Sequence, residues 1–358
     1  MLGRAAARFD EVQRRRRWVG FPLAVVYKFT EDQGPYLAAL ITYYGFLSLF
    51  PLLLLLASVL GFVLQGDPTL QQRILDSTLS QFPVIGSELG QPQGLRGSLA
   101  GLIAGALLAL YGALGVAQAL QNAMNVAWAI PRCRRPNPLK ARLRSLLLIG
   151  IGGLAIAVTT ILSALGSSAG QFGSHLGSLG AVGVIAGSIV VNGAVFIAAF
   201  KICTNEPRPL RDIVPGALLA TAVWQLLQLF GTAFVGREVK GSGATYGVFA
   251  LVLGLIGWLF LAALGVVLSA EVNAVRAKHL FPRSLRTAFT DDVDLTAADR
   301  RVYADIARAQ RFKGFQTVRV EFDHDGQYAS EVRRLAANES PRVAADDDVT
   351  TASDTAHG

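Results

Sequence analysis

Six apolar runs divide this sequence, at residues 37–64, 99–128, 143–165, 181–200, 213–235 and 247–272, and none has an acidic residue in its interior. A helix needs about 20 predominantly apolar residues to cross the hydrocarbon core of a bilayer, and every run reaches that length. Backbone N–H and C=O groups in lipid must be satisfied within their own segment, so these runs are expected to be helices. None shows the alternation over about ten residues that marks a membrane barrel strand. The expected fold class is therefore all-α: a polytopic membrane helix bundle with about six transmembrane helices, interfacial helices and a partly disordered C-terminal tail. Only 16% of the 358 residues are charged, against about 25% in soluble domains.

Charge placement gives the bundle a direction. The stretch before the first run holds seven Lys/Arg, and the connection between the second and third holds Arg132, Arg134, Arg135, Lys140, Arg142 and Arg144. Lys201, Arg208 and Arg211 separate the fourth and fifth runs, and Arg276, Lys278, Arg283 and Arg286 follow the sixth. These total twenty; the alternate connections hold four, namely Arg73, Arg96, Arg237 and Lys240. Basic residues in short loops mark the cytoplasmic side, so both termini are expected there, in a bacterial cytoplasmic membrane. That orientation accounts for the basic clusters without nucleic acid as a partner. Cys133 and Cys203 would lie at the cytoplasmic face as thiols.

Three regions follow. Residues 1–36 form a basic segment in which Trp18, Phe21, Pro22, Val25, Val26 and Phe29 recur at helical spacing after Arg14–Arg17. That pattern fits an interfacial helix on anionic lipid or a helix packed on the bundle. The run Arg14–Arg17 reads as an anchor rather than a leader, since no small-residue cleavage site follows. Residues 37–280 form the six-helix transmembrane domain, with a second amphipathic stripe at Leu70, Ile74, Leu75, Leu79 and Phe82. Residues 281–358 form an acidic cytoplasmic tail. There Thr296 and Asp299 have capping-box spacing, Thr317–Phe322 alternate like a short strand, and the composition beyond about 327 predicts disorder.

Polar residues inside spans are costly and are the first functional candidates. Gln118, Asn122 and Asn125 share one helix face of the second run, and Thr221, Gln225 and Gln228 share one in the fifth. Asn192 lies in the fourth run, and Ser269, Glu271 and Asn273 stand at the end of the sixth. These faces either line a polar cavity or hydrogen-bond helix to helix for about 1 kcal/mol each. Pro51 should kink the first helix by freeing the carbonyl of Leu47. Glycines at 97, 101 and 105, and at 183 and 187, have the spacing of close helix contacts. No Walker motif, nucleophile elbow or carboxylate cluster is present, and the four histidines are scattered, so no catalytic residue, metal or cofactor is expected.

Three stretches together resemble the YihY/BrkB family of integral membrane proteins. They are residues 36–57 (YLAALITYYGFLSLFPLLLLLA), residues 120–128 (LQNAMNVAW), and residues 215–225 (PGALLATAVWQ) continuing through Tyr246-Gly247 to Trp258 and Ser269-Ala-Glu-Val-Asn273. Ser269 replaces the glycine usual before the alanine–glutamate pair, and Asn205-Glu-Pro-Arg-Pro209 stands where a tyrosine is usual. The resemblance covers about residues 20–280 and implies a bacterial membrane protein discussed as a transporter, including of lipid or envelope precursors. One member was once labelled ribonuclease BN, but the spans here contain no metal-binding carboxylates or acid/base pair. The leading expectation is a non-ATP-driven transporter or lipid translocator, with membrane lipids and further copies of the chain as partners. The alternative is an envelope-assembly scaffold acting through its glycine faces and tail.

Overall fold

A computed structural model describes Asp10, Gln13 and residues 16–63, 99–169, 174–238, 244–288, 293 and 295–322. Eight α-helices occupy the described residues: α1 (Arg17–Glu31), α2 (Gly34–Val63), α3 (Leu99–Ala127), α4 (Pro138–Ala169), α5 (Ser174–Cys203), α6 (Leu210–Glu238), α7 (Ala244–Ala277) and α8 (Ala297–Ala309). The six from α2 to α7 run for 29 to 34 residues. At about 1.5 Å per residue each is on the order of 45 Å long, enough for a bilayer with its headgroups. The chain is an all-α membrane bundle. Among the described residues, Pro138–Thr159, Gly183–Cys203, Leu210–Gly231 and Val252–Ala277 are long and apolar enough to cross.

Helix ends differ from the apolar runs because polar residues continue the helices past them. α4 starts with Pro138 in its first turn, five residues before the apolar run, where a missing N–H costs nothing. The alternating segment Thr317–Phe322 is not a strand, since no strand exists among the described residues to pair with it. The stripe Leu70–Phe82, Gly97 and the chain beyond 322 lie outside the described residues. The chain forms two compact units, Met1–Gln316 and Thr317–Gly358.

In the first unit the long helices close a ring in chain order. Each of α2 to α7 packs against the next, and α7 returns to α2. α3 also touches α5 and α7, which makes it the innermost helix. Its approach to α2 depends on two glycines. A Cβ at Gly112 would lie 2.5 Å from Ser48 Cβ, and one at Gly115 would lie 2.5 Å from Tyr44 Cγ. The expected glycine faces do not carry packing within the chain at Gly105 or Gly183, where a Cβ would meet nothing within 4 Å. α2 runs through Pro51, while Thr42 and Ser48 return their hydroxyls to Ala38 and Gly45 of their own helix. On α4, Leu143, Leu146, Leu147, Leu154 and Ile161 are all exposed. An apolar face that continuous is what lipid tails would cover.

α1 and α8 belong to the same unit as the bundle. Ala24 and Val25 of α1 are buried with Val275 of α7, Leu280 and Val302 of α8, while Trp18 and Val26 face outward. α1 is thus both packed and exposed, one face to each. Thr296 caps α8 in a full capping box with Asp299, as its spacing predicts.

Candidate functional site

The basic connections meet at one end of the bundle. Arg134 pairs with Glu206 at 3.0 Å, and the Arg208 guanidinium stacks 4.6 Å from the Trp128 ring. Lys278 donates to the Trp128 carbonyl at 2.8 Å, and Arg311 donates to Cys133 Sγ at 3.3 Å. Cys203 is buried in an apolar core of Met124, Ala127, Phe200, Ile213, Ala217, Ala220 and Ala270, which joins α3, α5, α6 and α7 at this end.

At the start of α6 the backbone is repaired by α7. Pro215 has no N–H, so the carbonyl of Arg211 loses its helical partner. Arg276 donates to that carbonyl at 2.9 Å. Asn273 then clasps the same turn from both sides: its Nδ2 donates to the Ile213 carbonyl at 2.9 Å and its Oδ1 accepts from Gly216 N–H at 2.7 Å. A Cβ at Gly216 would stand 2.5 Å from Asn273 Nδ2, so only glycine admits the clasp.

Beside it lies a charged cluster. Glu271 is fully buried on α7, about 9 Å below the helix end at 1.5 Å per residue. Lys28 Nζ from α1 sits 3.0 Å from Glu271 Oε2 and also bonds Asp32 at the end of α1. The Lys28–Glu271 contact is a charge pairing off the ideal hydrogen-bond direction, since neither Glu271 oxygen accepts an aligned bond. Burial by itself would lower the Lys28 ammonium; the Glu271 and Asp32 carboxylates outweigh it and hold the group above its ordinary value. A second cluster secures the same helix at Glu31. Arg283 is fully buried, forks onto Glu31 at 2.7 and 3.0 Å, and pairs with Asp299 at the start of α8. There too the carboxylates overcome burial and raise the guanidinium. Asp299 also accepts from Ser284 N–H at 3.0 Å.

The expected polar faces behave differently from one another. Gln118 is exposed, and Asn122 is half-buried with its Oδ1 accepting from Arg135 at 3.0 Å. Burial, then the nearby Arg132, lower the Arg135 guanidinium. Asn125 is buried, and its Oδ1 accepts nothing. Gln121, their neighbour, ties α3 to α4 through Ser145 at 2.9 Å. On α6, Thr221 returns its hydroxyl to Ala217, while half-buried Gln225 has an unpaired Nε2 beside Trp224, which meets Trp258 edge-on at 5.4 Å. Gln228 is half-buried one turn on. Half-buried Asn192 on α5 adjoins Gly193, where a Cβ would lie 3.7 Å from Thr221 Oγ1. The geometry therefore brings Thr221 against α5 at Gly193, Asn273 against α6 and Glu271 against α1. The apolar core around Met124 and Ala217 joins α3 to α6 at the basic end. Among the described residues no three His, Cys, Asp or Glu side chains cluster as a metal site requires.

A family model described as virulence factor BrkB matches residues 25–288. The chain belongs to the BrkB family. It is 26% identical over 263 residues to YfkH of Bacillus subtilis, a protein named as ribonuclease-like, covering 70% of this chain and 93% of that one. It is 26% identical over 300 residues to a UPF0761 membrane protein of Alkalilimnicola ehrlichii, covering 82% and 66%. A UPF0761 membrane protein of Aromatoleum aromaticum matches at 26% over 195 residues, covering 52% and 46%. No solved structure matches the chain. The BrkB match takes in both halves of the Asn273–Gly216 clasp and the Lys28–Glu271 pair. Sequence reasoning singled out Glu271 and Asn273 but missed Asp32, Glu31, Arg283 and Asp299. Lys28 and Asp32, four residues apart at a helix end, and the capping-box spacing of Thr296 and Asp299 were the local signals.

Proposed function

We propose that this BrkB-family protein is a non-ATP-driven transporter of the bacterial cytoplasmic membrane that moves lipid or lipid-linked envelope precursors, with both termini cytoplasmic. The observation that carries the reading is the Glu271 carboxylate, fully buried within a membrane helix and faced by Lys28 from a helix outside the ring. Ionised groups at such positions are expensive and are kept where a pathway or a switch needs them. In this reading α1 latches the cytoplasmic mouth through Lys28 and Arg283. Asn122, Asn125, Thr221, Gln225 and Gln228 supply the polar groups of the path.

The test reconstitutes the full chain in vesicles and follows transbilayer movement of fluorescent phosphatidylglycerol without nucleotide. Movement should exceed that of protein-free vesicles at least tenfold, and Asn122→Leu/Gln225→Leu should abolish the excess while remaining folded. Full activity in the double variant would remove these amides from the path. A scaffold reading draws on the separate unit Thr317–Gly358. Truncation after Gln316 separates the two: a transporter keeps its activity, and a scaffold acting through this unit loses function. A cut at 291 would not discriminate, because it removes Asp299 and Val302 from the first unit's core.

A further inference from the structure

A cavity of about 300 Å³ opens at the basic end of the bundle, lined by Arg211, Asp212, Arg276, Ala277 and His279. It lies where the first turn of α6 meets the last turn of α7, outside both charged clusters described above. Two guanidinium side chains and one carboxylate are among its lining. Arg211 Nε is 3.8 Å from Asp212 Oδ1, a loose pairing that leaves the Arg211 side chain 83% exposed. Arg276 pairs with no carboxylate among the described residues. Its one bond to the Arg211 carbonyl fixes the guanidinium at the wall and leaves further N–H groups of the fork for a ligand. His279 adds a ring at the rim, held by a backbone in the left-handed region (φ 53°).

We propose that this cavity binds the phosphate of an anionic phospholipid headgroup. Planar guanidinium forks match phosphate oxygens in geometry and charge, and two of them line this cavity. The surrounding surface favours a lipid over a free anion. Leu210, next in the chain to Arg211, is exposed, and Leu218, Ala222 and Leu226 continue the exposed face along α6 at helical spacing. A headgroup seated between Arg211 and Arg276 would therefore have an apolar track for its acyl chains directly along α6. The Pro215 break is what makes the seat, because the carbonyl it frees is the one that orients Arg276. This inference is independent of transport and holds for a bundle that moves nothing.

The test is native mass spectrometry of the full chain released from nanodiscs of mixed phosphatidylglycerol and phosphatidylcholine. The wild type should retain phosphatidylglycerol at least tenfold over phosphatidylcholine. Arg211→Gln/Arg276→Gln should lose that preference, and so, in part, should Arg211→Gln, whose exposed side chain carries no fold. Lys140→Gln/Arg142→Gln removes the same two charges from an exposed stretch at the start of α4 and should retain the preference. Equal loss in that control would overturn the site in favour of general surface charge. No preference in the wild type would also overturn it. Inorganic phosphate added at millimolar concentration should fail to displace the lipid; equal competition would overturn the lipid assignment in favour of the free anion.

Discussion

Asn273 on α7 holds the α6 backbone on both sides of Pro215, accepting from Gly216 N–H at 2.7 Å and donating to the Ile213 carbonyl at 2.9 Å. The carbonyl that Pro215 strands, that of Arg211, is met by Arg276, so α7 holds this turn of α6 through two side chains. It also locks the register between the two helices that carry Glu271 and the basic cavity.

Removing the amide takes away two buried bonds between α7 and the α6 backbone. Asn273→Leu is expected to destabilise the detergent-solubilised protein by about 1–3 kcal/mol in an SDS unfolding titration. Gly216→Ala should be at least as damaging, because its methyl would overlap Ser269 and Asn273. An unchanged midpoint in both would show that the clasp contributes nothing to stability.

The two kinds of glycine in α3 should separate cleanly. Gly115→Ala places a Cβ against the Tyr44 ring and should lower the thermal midpoint, whereas Gly105→Ala meets nothing within 4 Å and should leave it unchanged or raise it. Alanine restores about 0.5–1 kcal/mol of helix propensity at an open site, so the opposite signs are readable in one melting experiment.

The α1 latch should respond to loss of its cation. Lys28→Met strands two buried carboxylates and is expected to cost about 3–5 kcal/mol, with Lys28→Met/Glu271→Gln recovering part of the loss. A double-mutant cycle in the same unfolding assay measures the coupling, and additive effects would contradict the pairing.

The same lysine sets a pH dependence. Its folded-state value is raised above the ordinary 10.5. Its contribution to stability is therefore complete below pH 10.5 and is lost only as pH climbs through the higher folded value. Thermal unfolding from neutral pH to 10.5 should show no step that disappears in Lys28→Met; such a step would mean that Lys28 is not held by its carboxylates.

Much of this architecture is legible in the sequence, and the missing part has a physical reason. Apolar length alone predicts the helices, since lipid allows those runs no other backbone. Glu271 and Asn273 stand out because polar groups are rare at their depth. Their partners do not: Gly216 and Lys28 lie 57 and 243 positions away along the chain, and nothing local records a contact made by packing. The helical stripe of α1 is visible, but periodicity does not say which face meets protein, so nothing there marks Lys28 as buried. Regular spacing also misleads among the glycines, where Gly112 and Gly115 carry the close approach and Gly105 does not. Arg283, Glu31 and Asp299 come from three distant segments, and only the Thr296 cap hinted at one of them.

The proposed latch of α1 on a lipid-moving bundle runs through Lys28 and Glu271. It is tested most directly by transbilayer movement of fluorescent phosphatidylglycerol in vesicles containing the full chain, wild type against Lys28→Met/Glu271→Gln, each confirmed folded by size exclusion. Nucleotide-independent movement is expected in the wild type, with a rate raised several-fold when the latch is neutralised. Movement no faster than in protein-free vesicles, for both proteins, would contradict it.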